Sequence, residues 1–290
     1  MSAHRSYGFT LPELLVGMVL IGIIMTAILT LNVGTGRSTA SLQSRTSLLA
    51  ETQNAQNYMV SRLQTAVYVF RKGDTVSLSS TNGPTTRNPR TSTSNWLVGT
   101  DPILAFIVPP KDQNVAAGSC TSDVTTAAKC YYFYAYYPVL RSVVVSGTSG
   151  SNDPGADPAN NNAWVLMEFR GRYVPSAISG KAYSEVTTDI PATGVEGRVL
   201  LDYLRPVPLT VPPTPTQMLF DQSDTPTTPP TTEGPGTVSV TVNLAAEQAS
   251  RGGGTVRVPP DPTNSNSAGS GTRYSVTVYP RNIGTPQLDN

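Results

Sequence analysis

Residues 8–31 read GFTLPELLVGMVLIGIIMTAILTL, the start of an apolar run that lasts to Gly36 and carries one carboxylate, Glu13, at its entrance. Between Glu13 and Arg37 no residue is charged. As a helix, such a run is long enough to cross a hydrocarbon core of about 30 Å. The leader MSAHRSYG holds His4 and Arg5, and a basic flank of this kind stays cytoplasmic while the C-terminal bulk goes outward. A removable secretory signal fits less well. Ser38-Thr39-Ala40 has small residues at the right spacing, but they lie beyond a core already longer than the usual apolar region of about 7 to 15 residues. A carboxylate on a membrane helix costs about 2.5 to 3.5 kcal/mol at the bilayer centre and less near the interface, so Glu13 calls for a partner.

The succession Gly8, Phe9, Thr10, Leu11, a variable position filled by Pro12, then Glu13 and an apolar span resembles the N-terminus of type IV prepilins and type II secretion pseudopilins. The match covers about the first 25 residues. By that resemblance a dedicated peptidase cuts after Gly8 on the cytoplasmic side and methylates the new N-terminal residue, Phe9. Glu13 then stands at the family's glutamate position and meets the N-terminal amine of a neighbouring subunit during assembly. A charge pair in a low dielectric fixes register more than it adds stability. Pro12 is tolerated because the first turn of a helix has no intrahelical N–H bond to lose. The plain alternative is an ordinary uncleaved anchor with a solvated carboxylate. Gly17 and Gly22 lie in the span, with Gly34 and Gly36 after it, and serve either close backbone approach between helices or local melting.

After Arg37 the pattern stays helical. Leu42, Leu49, Leu63 and Phe70 fall on a seven-residue spacing, and Met59, Ala66 and Val67 widen the stripe, which predicts a helix face that packs on a sheet. Arg71 and Lys72, then Gly73 and Asp74, read as its stop. The remainder reads as short strands between turns. The candidates begin at Trp96, Lys129 (KCYYFYAYYPVLRSVVV), Ala163, Gly197, Thr237 and Arg273. Alternation at Val238, Val240, Val242 and Leu244 suggests a strand with one face on the core. The expected fold is therefore α+β, a long N-terminal helix packed on a C-terminal antiparallel β-sheet head. Its divisions are leader 1–8, membrane and assembly helix 9–36, amphipathic continuation 37–73 and head 74–290. The strand order resembles W-type minor pilins and J-type minor pseudopilins. Residues 205–236, Pro- and Thr-rich, favour polyproline II and read as a solvent-exposed excursion, and SNDPGADPANNN (151–162) as a polar loop.

The chemistry is sparse. His4, in the leader, is the single histidine, which rules out Ser-His-Asp and Cys-His catalysis and any His-ligated zinc in the mature chain. No phosphate-binding loop occurs, because GTGRSTA at Gly34 lacks a preceding strand. With 20 Lys+Arg against 19 Asp+Glu, no global field favours nucleic acid. An enzyme, a cofactor and a small-molecule substrate are not expected. Cys120 and Cys130 fit a disulfide of an exported protein, worth roughly 3 kcal/mol, with free thiols as the alternative. Asp153 and Asp157 offer oxygens to a calcium ion, although the spacing is not that of an EF-hand and a solvated turn accounts for them as well. In YYFYAYY (131–137), Tyr131, Phe133 and Tyr137 share one face, and Tyr132, Tyr134 and Tyr136 the other. One face is core. The other, with Arg141, Arg170 and Arg172, is a candidate surface for stacking on DNA bases.

Together these readings describe a non-enzymatic minor pilin or pseudopilin that sits in the inner membrane with its head outside the cytoplasm. It then enters a pilus or pseudopilus used for motility, adhesion, DNA uptake or secretion. The expected partners are the prepilin peptidase, other pilin subunits and the membrane, with DNA as a candidate. The alternatives are a tip-located binding module, DNA receptor or adhesin, and a simple single-pass envelope protein.

Overall fold

Thr10, in extended conformation, and Pro12 in the first turn begin α1, Leu11–Gln64, in a computed structural model of the chain. The structure describes residues 10–78, 80–111, 128–147, 152–173, 197–205, 218–224, 238–249, 254–260 and 273–280. Gly8, Phe9 and Cys120 lie outside the described residues. At 54 residues, α1 is about 80 Å long at 1.5 Å per residue.

α1 ends short of the stop at Gly73. The N–H of Thr65 turns back to the carbonyls of Arg62 and Leu63, and the chain enters β1, Tyr68–Val69. The reason lies in the sheet. Val67 N–H donates to Ile107 O at 2.9 Å and Phe70 N–H to Ala105 O at 3.0 Å, so Val67–Phe70, β-branched and aromatic, meet an edge strand that satisfies their backbone. Ala66, Val67 and Phe70 are buried as sheet-side residues, not as a helix stripe. Leu42, at the other end of the expected stripe, is 64% exposed; burial of α1 starts at Leu48. Gly73 instead turns the chain from β1 into β2, Thr75–Ser77, at φ +98°.

β2 pairs with β3, Asn95–Leu97, as a small separate ribbon. Then follow β4, Leu104–Val108, and β5, Tyr131–Leu140. The RSVVV stretch, expected to prolong β5, instead forms the short helix α2, Arg141–Gly147. Pairing of β5 already ends at Leu140 opposite Trp164, so a longer strand would have had no ladder, while α2 buries Arg141 and Val144 on the head. Next come β6, Trp164–Tyr173; β7, Arg198–Leu204; β8, Phe220–Asp224; β9, Val238–Leu244; β10, Ala246–Ala249; β11, Thr255–Val258; and β12, Tyr274–Val278. The main antiparallel sheet runs in the order β1-β4-β5-β6-β7-β10-β11, and a second sheet runs β12-β9-β8. β8 lies inside the 205–236 stretch, which is thus not one continuous excursion. Leu219 and Phe220 are apolar and buried there, between the two proline-rich pieces.

Two apolar clusters sandwich the main sheet. On one face Met59 and Leu63 of α1 pack with Phe106, Tyr134, Tyr136, Leu166 and the inward residues Val240, Val242 and Leu244 of β9. On the other, Phe70, Val76 and Trp96 pack with Tyr131, Phe133, Tyr137 and Val144. The aromatic strand β5 is therefore buried on both faces, with Phe70 and Phe133 edge-to-face at 5.6 Å and Phe106 stacked on Tyr134 at 5.7 Å. Gly99 shows one backbone requirement. Its φ is +79°, and an added Cβ would stand 2.4 Å from Lys72 Cγ.

Because Leu63 is buried between α1 and the sheet whereas Leu42 is exposed, Leu63→Ala should cost about 2–5 kcal/mol of head stability and Leu42→Ala almost none, by denaturant unfolding of the full chain in detergent micelles. Equal effects of the two would contradict this division of the helix.

Candidate assembly segment and head surface

From Leu11 to Val33, α1 exposes fifteen large apolar side chains, and its most apolar window has a mean hydropathy of 2.7 with none of it covered by the rest of the chain. This helix is long and apolar enough to cross a membrane. Each such side chain that leaves water contributes about 1.5–3 kcal/mol, so two of them offset the cost of one charge. The polar groups in the span are satisfied locally. Thr26 donates to Gly22 O at 2.8 Å, Thr35 to Leu31 O at 2.9 Å and Thr39 to Thr35 O at 2.9 Å. Hydroxyls bonded back along their own helix cost little in lipid.

Glu13 sits in the first turn. Its Oε2 accepts the Thr10 N–H at 3.0 Å and the Thr10 hydroxyl at 2.9 Å. This side of a capping box closes the helix end and aims the carboxylate at the N-terminal backbone, where the helix dipole is positive. Among the described residues no cation pairs with it, so the charge is oriented but not neutralised. The sequence alone picked out this residue. The Thr10 clamp is the added detail, and the Thr-x-x-Glu spacing was the signal for it.

The head residues singled out from sequence do not form one site. Arg141 is 1% exposed, which removes it from any DNA-contacting surface. Its Nε donates to both carboxylate oxygens of Asp202, at 3.1 and 3.2 Å, and Nη2 to the carbonyls of Pro154 and Gly155. It therefore ties α2 to β7 and to the 152–157 loop. A bulge in β7 serves the same knot: between Leu201 and Leu204 the register with β6 shifts, Tyr203 takes φ +58°, and its ring lies under the Arg141 guanidinium at 5.3 Å. Burial raises the Asp202 carboxyl above its ordinary range, against the opposing pull of Arg141.

Tyr134 is likewise buried, and so is Tyr136, whose hydroxyl donates to the buried Glu168 at 3.1 Å. The face expected to be free for stacking is covered by α1. Tyr132, half-buried, already carries Arg170 over its ring at 4.4 Å. Arg172 lies opposite Tyr132 in the β5–β6 register. A row of Arg62, Tyr134, Arg170 and Tyr132 thus fastens the end of α1 to β5 and β6, a cross-strand and cross-layer arrangement that no local spacing reveals.

Asp153 and Asp157 are engaged in folding the 152–162 loop. Asp153 Oδ1 accepts the Gly155 N–H at 2.8 Å, and Asp157 Oδ2 accepts from Asn160 at 2.8 Å and from the Tyr203 hydroxyl at 3.0 Å. Asn160, buried, accepts the Ala249 N–H at 2.7 Å. Among the described residues no three His, Cys, Asp or Glu side chains gather to hold a metal. Cys130 is buried at the start of β5, and its sequence partner lies outside the described residues.

The hydrogen bonds from Asn160 and then Tyr203 hold the Asp157 carboxyl below its ordinary range. A depressed carboxyl stabilises the fold above its unfolded pKa of about 3.9 and loses that contribution as pH falls through the lower folded value. The melting-temperature deficit of Asp157→Asn relative to the parent should therefore shrink between pH 6 and pH 2.5. A deficit that stays constant over this range would contradict the assignment.

The family model for the prokaryotic N-terminal methylation motif matches residues 3–29. No curated protein and no solved structure matches the chain. With its long N-terminal helix leading into a curled antiparallel β-sheet, the chain is an α+β protein of pilin-like layout that carries the prepilin-type cleavage and methylation segment.

Proposed function

We propose that the chain is a minor type IV pilin or pseudopilin, a structural subunit cut after Gly8, methylated at Phe9 and assembled through α1 with its head outside the cytoplasm. The observation that carries this reading is the apolar half of α1, which begins at an oriented carboxylate and which, among the described residues, is neither covered nor met by a cation. Cleavage after Gly8 creates a cationic amine at Phe9, next to the Thr10 backbone that Glu13 already contacts. The amine of one subunit and Glu13 of the next then neutralise each other as the helices stack, and their apolar faces leave lipid or water together. The motif supports processing by a prepilin peptidase and assembly with other pilins. The buried positions of Arg141, Tyr134 and Tyr136 weigh against the DNA-receptor reading.

Mass spectrometry of the protein from its native envelope should find a methylated Phe9 as first residue, and Glu13→Ala should leave that processing intact while incorporation into filaments falls at least about tenfold, the loss of ~1.4 kcal/mol or more of pairing. Retained leader residues would overturn the processing, and normal incorporation the charge pair.

We also propose that Cys130 is joined to Cys120, closing the loop that leads into β5. Thiol alkylation should label both cysteines after reduction and neither before it; equal labelling in the two samples would refute the bond.

A further inference from the structure

The main sheet and the second sheet end in four outer strands among the described residues, β1, β11, β8 and β12. Three of them are poor templates for another chain. β1 is two residues long, β11 carries Arg257 and runs into Pro259 and Pro260, and β8 carries Asp221 and Asp224. Shortness, charge and proline each keep an open edge from pairing. β12 has none of these protections. From Tyr274 to Tyr279 the chain reads YSVTVY, aromatic, β-branched and hydroxyl side chains with no charge and high strand propensity. Outside α1, the large apolar side chains left exposed among the described residues are Val276, at 38%, and Tyr279, at 61%. The strand is also held in place: Gln56 of α1 donates to Tyr274 O at 3.1 Å, and the hydroxyls of Thr277 and Thr241 lie 2.9 Å apart. The direction of its free backbone groups follows from β9. Asn243 N–H donates to Leu219 O on the β8 side, so the N–H and C=O of Val242 point to β12 and bond Val276, its partner in the register. By the alternation of an antiparallel ladder, the N–H and C=O of Ser275 and Thr277 then point away from β9.

We propose that β12 is a self-pairing edge: two copies of this chain join antiparallel, β12 on β12, about a two-fold axis at Val276. In this register Ser275 lies opposite Thr277 of the second copy, and Thr277 opposite its Ser275, so the outward groups of each pair exchange both N–H···O bonds. Val276 faces Val276 of the second copy at a non-hydrogen-bonded position, where Cα atoms approach to about 4.5 Å, and the exposed side chain is covered. Tyr274 comes opposite Val278, an aromatic and β-branched pair of the kind that stabilises sheets. Two observations select a second copy as the occupant. The free backbone groups flank Val276 symmetrically, so a two-fold register satisfies all of them at once, and the uncharged strand opposes no like charges when laid on itself. Pairing with β8 of another copy would instead set Asp221 and Asp224 against a strand with no cation to meet them. A two-fold contact uses the same edge on both copies and closes at the dimer. This interface joins heads and uses neither Glu13 nor the apolar half of α1.

The test is sedimentation velocity of the full-length protein in non-ionic detergent, with micelles in large excess so that chains do not share one by chance. The parent should show a concentration-dependent dimer. Val276→Lys sets two like charges directly opposite each other and should raise the dimer dissociation constant at least about tenfold, and Val276→Glu should do the same. An equimolar mixture of the two variants should recover the dimer, because position 276 then pairs opposite charges. Val276→Cys, close to the parent in size, should form an inter-chain disulfide on mild oxidation, since a Cα separation of about 4.5 Å lies within disulfide reach. Thr277→Cys, two positions out of register with its own copy, should not, and the parent controls for the native cysteines. The proposal is overturned if the parent stays monomeric, if Val276→Lys dimerises as the parent does, or if the mixed variants fail to recover the dimer. It is also overturned if Thr277→Cys cross-links as readily as Val276→Cys.

Discussion

Apolar surface must leave water, and along the first half of α1 none of the described residues covers it. The same helix meets the requirement in two different ways along its length. From Leu48 to Leu63 it buries Leu48, Ala55, Met59 and Leu63 against the head, and the buried Gln56 makes its hydrogen bonds to Val242 O and Tyr274 O of the second sheet. Before Leu48 no residue of α1 is buried by the described residues, and this half is long and apolar enough to cross a membrane. The carboxylate at the entrance and the hydroxyls that bond back along the helix are consistent with that crossing. The hydroxyls are satisfied along their own helix, and the carboxylate is held by the Thr10 backbone and hydroxyl.

Because α1 must both leave the head and be anchored to it, the head is arranged around a strand with no free face. β5 has α1 and β9 over one side and Phe70, Trp96 and α2 over the other. Aromatic residues suit this position because each fills a large volume in a few rotamers. Two pairs of polar groups enter the core together, Tyr136 with Glu168 and Arg141 with Asp202. Removing one member of such a pair leaves the other buried and unpaired, so they act as constraints on geometry more than as sources of stability.

The strand shared by the two sheets is the second device that makes the head one unit. At Ala245 the backbone serves β7 on one side and follows the β12 pairing on the other.

The helix, its membrane-competent half, Glu13 and the main strands β4 to β7, β9 and β12 were legible in the sequence, since each rests on local periodicity, charge depletion or a short ordered motif. Tertiary structure decided what these elements face. Val67–Phe70 continue a plausible helical stripe, yet they form a strand edge because β4 offers backbone partners there. RSVVV is β-prone, yet it becomes a helix because the β6 ladder ends at Leu140. Tyr134 and Arg141 look like surface on a two-residue alternation but are buried, because α1 folds back over one face of the sheet and α2, with β7 and its loop, closes around the other. A local pattern records which side chains share a face; only the long-range packing of layers determines whether that face meets water.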